Sequence, residues 1–374
     1  MTELKETALA AEHQALGASF TDFGGWRMPL KYTSELEEHK AVRSAAGIFD
    51  LSHMGEVRVI GPDAATFLNT ALVGNLAKIA PGKAKYSLIV NTAGGILDDL
   101  ISYRIGEQEY LVIPNAANRE TVAAELTERA SGFDVEVWDE SEGISLIAVQ
   151  GPTSEAIISS VVRADEIELV ERLSYYAHTT VTIGGQEILL ARTGYTGEDG
   201  FELYLPHDKA GALWRALLEG GTEFGITPCG LASRDSLRLE AGMPLYGNEL
   251  TVDRKPQEAG LPVVAFSKKE DFVGRAALEQ VKTEGLGKTT GQRLVGLTAA
   301  GKRAARPGHE IQTPDGTPIG TVTSGAPSPT LGHAIALGYV DVAHAEPGTQ
   351  LQVDVRGRPI PFEVVKPPFY LRGQ

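Results

Sequence analysis

Two adjacent carboxylates, Asp98 and Asp99, interrupt an otherwise apolar run in YSLIVNTAGGILDDLISYRI, residues 86–105. Gly94-Gly95 supplies the backbone freedom of a turn, and the Leu- and Ile-rich segment after it reads as a strand. Side chains along a strand alternate between its faces. Asp99 therefore shares a face with Ile101, Tyr103 and Ile105. Asp98 shares the other with Ser102 and Arg104, a polar face that Leu100 interrupts. This pattern assigns Asp98 to solvent and carries Asp99 inward. A carboxylate carried inward needs donors, a cation or a ligand, because burying it unpaired is costly. Two readings of Asp99 stay open here: an acid working in a site, and an acid paired with an arginine for structure.

Three further segments hold residue types that bind or react. FDLSHMGE (residues 49–56) sets Ser52, His53 and Met54 just ahead of a strand. A lone imidazole has several roles open to it. With no second ligand nearby, His53 reads as structural or pocket-lining, and Met54 reads first as core filler. ARTGYTGEDGFELYL (residues 191–205) packs glycines around Tyr195 and two acids, and its Glu198-Asp199 turn is expected to be exposed. In the strand after that turn, Phe201, Leu203 and Leu205 share one face, while Glu202 and Tyr204 share the other. Alternation alone leaves Glu202 solvated. In a pocket, its two acceptor oxygens would pair with adjacent N–H donors of a heterocycle. CGLASRDSLRLEAGM (residues 229–243) reads as a helix ending at Gly242, with Arg234 bordering the stripe of Leu231, Leu237 and Ala241. A half-buried arginine wants a carboxylate partner, from the protein or a ligand. Asp235 and Arg238 read as local helix charges.

No Ser–His–Asp order, zinc-like Cys/His spacing, phosphate loop or dinucleotide fingerprint is present. The residues by themselves point to a pocket for a polar, nitrogen-rich ligand and stop there.

Bulk properties narrow the partners. With 49 acidic against 34 basic residues, the net charge of −15 argues against general binding to nucleic acid or anionic membranes. The sole cysteine, Cys229, excludes an intrachain disulfide framework, suggests a reducing compartment and reads as a packed small residue. The first residues, MTELKETALAAEHQALG, lack the basic start and apolar run of a secretory signal, and no stretch approaches the ~20 apolar residues of a membrane span. A cytoplasmic location is expected.

The elements that must position these residues follow from punctuation and periodicity. At 374 residues, two or three domains are expected. Ser34-Glu-Leu-Glu37 has the form of a capping box, opening a helix that should stop near Gly47. Val57 and Val59 alternate with Glu56 and Arg58 as a strand, which Gly61-Pro62 ends before a helix carrying Phe67 and Leu68. The same order returns in ISLIAVQGPTSEAIISSVV, with Gly151-Pro152 before Ile157, Ile158 and Val161. YLVIPNAANRETVAAEL and FELYLPHDKAGALWRALL likewise share strand, proline, polar turn and helix, at nearly the same offset. Two related α+β units are expected. After KKEDFVGRAALEQ comes a polar, glycine-rich linker, KTEGLGKTTGQ. Beyond it, RLVGL, IGTVTSG, ALGYVDV, LQVDV and PFEVV predict a small all-β barrel.

Taken in order, HKAVRSAAGIFDLSHMGE, NTAGGILDDL, RTGYTGEDGFE, CGLASRDSLRLEAG and IGTVTSGAPSPTLGHAIALGYV resemble the aminomethyltransferase (T protein) family of the glycine cleavage system, over nearly the whole chain. The resemblance implies an α+β fold: two intertwined, pseudo-repeated ferredoxin-like units forming a folate-binding body over residues 1–285. A C-terminal β-barrel over residues 286–374 and a central channel complete it. It implies transfer of the one-carbon unit from the aminomethyl-dihydrolipoyl arm of H protein to tetrahydrofolate, a co-substrate, with no metal. The family's essential aspartate matches Asp99, and its pterin-binding glutamate matches Glu202. Tyr195 and Tyr86 match aromatic wall positions, Met54 a pocket contact, Asn115 a polar contact, Arg234 the arginine associated with folate, and Arg372 an arginine near the C-terminus. Lys302, Arg303 and Arg306 are candidates for meeting H protein, beside the plainer reading of a solvated charge run. The competing readings are a folate-dependent demethylase, whose usual flavin domain is absent from this sequence, and a folate-binding protein of iron–sulfur cluster maintenance. The latter carries a KGCYxGQE-like stretch where this chain has KKEDFVGR. A pure binding module is the third.

Overall fold

The computed structural model describes residues 4–263, 266 and 269–373. A short helix α1 (Ala10–Ala15) and a hairpin of β1 (Ser19–Phe23) and β2 (Trp26–Lys31) lead into α2 (Glu35–Ser44). The Ser34 hydroxyl accepts the Glu37 N–H at 3.2 Å, as the capping sequence requires. The helix stops short of Gly47 because the next residues already form β3 (Ala46–Asp50), buried along its whole length.

The first repeat runs β4 (Val57–Ile60), α3 (Ala64–Ala71), β5 (Ala84–Val90), β6 (Ile96–Gly106), β7 (Glu109–Ile113), α4 (Arg119–Arg129) and β8 (Glu136–Asp139). The second runs β9 (Ile144–Gln150), α5 (Ser154–Val161), α6 (Ile167–Glu171), β10 (His178–Ile183), β11 (Gln186–Ala191), β12 (Gly200–Pro206), α7 (Ala210–Gly220) and β13 (Ile226–Pro228). Gly61 and Gly151 occupy equivalent turns with φ of +147° and +138°. A Cβ at either would stand 2.3 Å from a backbone carbonyl oxygen, of Asp134 and Ala45 respectively. The repeated Gly-Pro turn is thus fixed by the same steric need in both halves. After each proline the chain passes through a 3-10 turn into the helix, at Ala116–Asn118 and at His207–Lys209.

The two sheets have related but unequal orders: β5-β6-β7-β4-β8 and β10-β11-β12-β9-β3-β13. In the first, β8 pairs directly with β4. In the second, β3 is inserted, antiparallel to β9 and parallel to β13. A strand that precedes the first repeat therefore completes the second sheet, and the two halves are intertwined.

By compactness the chain divides into two units. The first comprises Met1–Leu68, Leu76–Tyr86 and Leu100–Asp235; the second comprises Asn69–Asn75, Ser87–Asp99 and Ser236–Gln374. The core of the first joins Ile48, Ile147, Val149, Ile157, Leu203 and Trp214.

Helix α8 (Leu231–Glu240) begins in the first unit and ends in the second. Its end is a Schellman motif, with Met243 N–H on Arg238 O and Gly242 N–H on Leu239 O, both at 2.9 Å. Arg238 is not the local helix charge its spacing suggested. It is 1% exposed, bonded through Nη1 to Glu249 Oε2 at 3.0 Å and through Nη2 to Ser324 Oγ at 2.7 Å. Position 238 falls on the side of α8 that packs on the rest of the second unit. Asp235 is exposed, as expected.

Past α9 (Arg275–Glu284), a six-stranded barrel closes in the order β14 (Gln292–Thr298), β17 (Ala334–Asp341), β16 (Pro318–Pro327), β15 (Glu310–Gln312), β18 (Gln350–Asp354) and β19 (Pro359–Val365), with β19 returning to β14. Leu297, Ile311, Val322, Val340, Val353 and Phe362 fill it. The five expected strands are present. The short strand Glu310–Gln312 had too few residues to show a period. Among the described residues no helix is long and apolar enough to cross a membrane.

Candidate functional site

Glu202 is the best-defined functional group. It lies on β12, an interior strand paired with Ala191 of β11 on one side and Ala148 of β9 on the other. Both faces of that strand are covered, so Glu202 is 9% exposed and not solvated as alternation alone suggested. Its Oε2 accepts the Thr193 hydroxyl at 2.6 Å, the Tyr103 hydroxyl at 3.2 Å and the Tyr204 hydroxyl at 3.5 Å. Tyr103 and Tyr204 are tied to each other at 3.3 Å, with rings 5.7 Å apart edge to face. Burial first, and then the charge of Glu202 for Tyr103 and of its neighbours for Tyr204, raise both phenols well above their ordinary value. Both remain proton donors. No described residue bonds Oε1, so the network grips one carboxylate oxygen and leaves the other for a donor from outside.

Arg234 stands in the first turn of α8, its guanidinium 4.9 Å over the Tyr195 ring. Its Nη1 is buried with no hydrogen-bond partner among the described residues. Burial lowers its pKa, while the charges of Glu202 and Tyr195 push it back up. A buried cationic donor without a partner is costly, and an anionic or carbonyl group of a ligand would relieve it. Acceptor and donor together suit a polar ligand with N–H groups at one place and an acceptor at another.

The Thr193–Gly200 loop that carries Tyr195 is held from below. Arg43 Nη1 donates to Thr196 O at 2.7 Å and to Glu198 Oε1 at 2.9 Å. Glu198, expected to be exposed in its turn, is 8% exposed because this arginine draws it in. Arg192 holds the neighbouring Asp199.

His53 is 3% exposed, with Nδ1 unpartnered among the described residues and its ring 5.5 Å from Phe23. Burial lowers its pKa to about 4, opposed by Asp50 and helped by Arg234 and Arg119, so the imidazole is neutral at pH 7. Glu56, alternating with Val57 in the sequence, is fully buried instead, and burial raises its pKa well above the usual carboxylate range. The turn holding Met54 lies beside Asn115: Gly55 N–H donates to Pro114 O at 3.1 Å. Met54, Asn115 and Tyr195 are all half-buried.

The first compact unit thus gathers Tyr195, Glu202 and Arg234, with Met54 and Asn115 as a second group. Tyr86 is half-buried on β5. Asp99 belongs to the second unit, on β6, four positions before Tyr103 of the same strand. Its burial reverses the expectation. Asp98 is 0% exposed, on the closed face with Ile96, Leu100 and Ser102, and Asp99 is only half-buried. Asp99 is the accessible acid of the pair, so it keeps its candidacy by the opposite route. In the same unit the Tyr246 hydroxyl donates to Ile96 O at 3.2 Å, and its pKa is raised by burial and by Asp98 and Asp99. Arg372 lies in an exposed turn at the end of the chain. Cys229 is a buried free thiol raised well above its usual pKa, first by burial, as expected of a packed residue.

Sequence reasoning missed Thr193 and Tyr246; Tyr103 and Tyr204 carried a signal, as polar-ended residues on the strand faces of Asp99 and Glu202.

Residues 9–269 match the family described as GCVT N-terminal domain, and residues 292–370 the Glycine cleavage T-protein C-terminal barrel domain. The aminomethyltransferase of Streptomyces coelicolor is 55% identical over 373 residues, covering 99% of both chains. That of Desulfitobacterium hafniense is 41% identical over 372 residues, covering 100% of both. The crystal structure of the glycine cleavage system aminomethyltransferase T from Bartonella henselae superposes with a TM-score of 0.89 at 38% identity, covering 98% of both chains. With both domain families matched in order and relatives aligned from end to end, the chain that holds this glutamate and arginine belongs to the aminomethyltransferase family of the glycine cleavage system.

Proposed function

We propose that the chain's one-carbon acceptor is tetrahydrofolate and its donor the aminomethyl-dihydrolipoyl arm of an H protein. The observation that carries this reading is Glu202, held on Oε2 by three hydroxyls with Oε1 open. A carboxylate so presented complements the ring N–H and exocyclic amine of a pterin. The unpartnered Nη1 of Arg234, over Tyr195, supports a ligand that also brings an acceptor. Tyr86, Met54 and Asn115 are assigned to the pocket wall, and Arg372 to a contact from the C-terminal tail.

In this reading folate N5 attacks the aminomethyl carbon. The carbon leaves sulfur, closure on N10 expels ammonia, and the two hydrogens lost from N5 and N10 end on the thiol and on ammonia. Asp99 orients the amine, stabilises developing cationic charge and helps move a proton. Residues 1–285 form the folate-binding body and residues 286–374 the barrel domain. The exposed Lys302 and Arg303, with Arg306, are assigned to meeting H protein. A cytoplasmic setting is part of the proposal, supported by the free thiol of Cys229. End-to-end identity to aminomethyltransferases favours this reading over the demethylase and iron–sulfur alternatives.

The test is tetrahydrofolate-dependent ammonia release from aminomethylated H protein, with wild type and Asp99→Asn run together. Release by the wild type, lost in a folded variant, supports both reaction and acid. Near-normal turnover by Asp99→Asn removes the acid's role, and folate binding without release by the wild type removes the reaction.

A further inference from the structure

We infer that Gln150, whose amide bonds none of the candidate ligand groups among the described residues, is the positioning residue that sets Tyr195 and Glu202 together. The inference rests on the tetrahydrofolate reading of the site. Gln150 ends β9 and is 0% exposed. Its Nε2 donates to Thr193 O at 3.0 Å, and its Oε1 accepts the Thr196 hydroxyl at 3.0 Å. Those two anchors bracket Gly194 and Tyr195, so the amide spans the base of the turn that holds the tyrosine beneath Arg234.

One anchor does double duty. Thr193 offers its carbonyl to Gln150 and its hydroxyl to Glu202 Oε2 at 2.6 Å, so moving one moves the other. The other anchor, Thr196, is held through its own carbonyl by Arg43 at 2.7 Å. The surrounding sequence is shaped to the amide. A Cβ on Gly194 would lie 1.9 Å from Gln150 Oε1, and one on Gly200 would lie 2.3 Å from Nε2. Two of the loop's three glycines, Gly194 and Gly200, are therefore explained by the glutamine they enclose. A buried amide with donor and acceptor both satisfied fixes a geometry that an apolar side chain of equal length cannot.

The test is Gln150→Met, which keeps length and removes both hydrogen bonds. The expected result is a KM for tetrahydrofolate raised about tenfold in the ammonia-release assay, with kcat within about twofold, the signature of lost binding and not lost chemistry. An unchanged KM in a folded variant overturns the proposal, as does an equal fall in kcat with KM constant. Should Gln150→Met not fold, Thr196→Val carries the test: a raised KM that Thr196→Ser restores supports the lock, and a wild-type KM in Thr196→Val overturns it. A wild type without turnover would sink the reaction assignment and leave the lock to direct titration with tetrahydrofolate. There, tenfold weaker binding by Gln150→Met supports it and equal binding overturns it. A wild type that binds no tetrahydrofolate overturns both.

Discussion

Thr193 and Glu202 stand nine positions apart in the chain and meet at 2.6 Å, hydroxyl to Oε2. This short bond sets which carboxylate oxygen is occupied, and therefore which one a ligand finds. Glu202→Gln exchanges the carboxylate for a neutral amide and puts a donor where an acceptor is needed. Losing a charge-assisted pair costs about 1.5–3 kcal/mol, so the KM for tetrahydrofolate should rise roughly ten- to a hundredfold. Thr193→Val, which only loosens Oε2, should raise it less, by about tenfold or under. Steady-state kinetics on the two variants check the order; a wild-type KM in Thr193→Val would mean that the hydroxyl does not orient the acid.

Arg234 over Tyr195 makes a second, separable prediction. The guanidinium lies 4.9 Å from the ring centroid with Nη1 unpartnered among the described residues, so it can stack and still donate to a ligand. Lysine keeps the charge and loses the planar fork. Arg234→Lys should weaken tetrahydrofolate binding by about tenfold, while Tyr195→Phe, which keeps the ring face, should lie within about threefold of wild type. A fluorescence titration of both variants decides. Wild-type affinity in Arg234→Lys would show that charge alone is what matters there.

These residues also show what a sequence can and cannot carry. Periodicity placed the barrel strands, the repeated turns at Gly61 and Gly151, and the helix around Arg234, because each depends on neighbours within one element. Alternation also paired Asp99 with Tyr103 on one face, yet it named the wrong face as closed. Parity says which side chains travel together; which side is covered depends on sheet order, and here that order comes from distant segments. Glu202 is buried because both faces of β12 are covered, in a sheet that β3, from far upstream, extends. Glu198 is drawn in by Arg43, far away in sequence, and Arg238 by Glu249. The role of Gln150 was illegible for the same reason: its partners lie on a loop that only the folded sheet returns to it.

The Arg238–Glu249 pair yields a stability prediction in the second unit. The side chains are 1% and 0% exposed and 3.0 Å apart, and Glu249 Oε2 also accepts the Leu245 N–H at 2.9 Å. Removing one partner leaves the other charge buried alone, which costs about 3–5 kcal/mol. Glu249→Ala should therefore destabilise by about that much, and Arg238→Met combined with Glu249→Leu should recover a good part of it. Urea unfolding of the single and double variants measures this. A double variant as unstable as the sum of its singles would show that the two groups are not coupled.

The buried imidazole of His53 makes stability depend on pH in a predictable direction. In the unfolded chain it titrates near 6.5. Folding lowers this to about 4, by burial first, with Asp50 opposing the shift and the repulsion of Arg234 and Arg119 adding to it. Above about pH 6.5 the ring is neutral in both states and contributes no pH dependence. As pH falls from there toward 4, the unfolded chain takes up a proton that the native ring refuses, so native stability declines. The loss across that window is about 3 kcal/mol, at roughly 1.4 kcal/mol for each tenfold drop in the ring's proton affinity. His53→Gln has no proton to take up, so its stability should fall less steeply between pH 7 and 4.5, whatever its stability at pH 7. Urea midpoints of wild type and variant at both pH values give the difference directly. Parallel declines would mean that His53 is protonated as easily in the fold as out of it, which its closed surroundings and orphan Nδ1 do not allow.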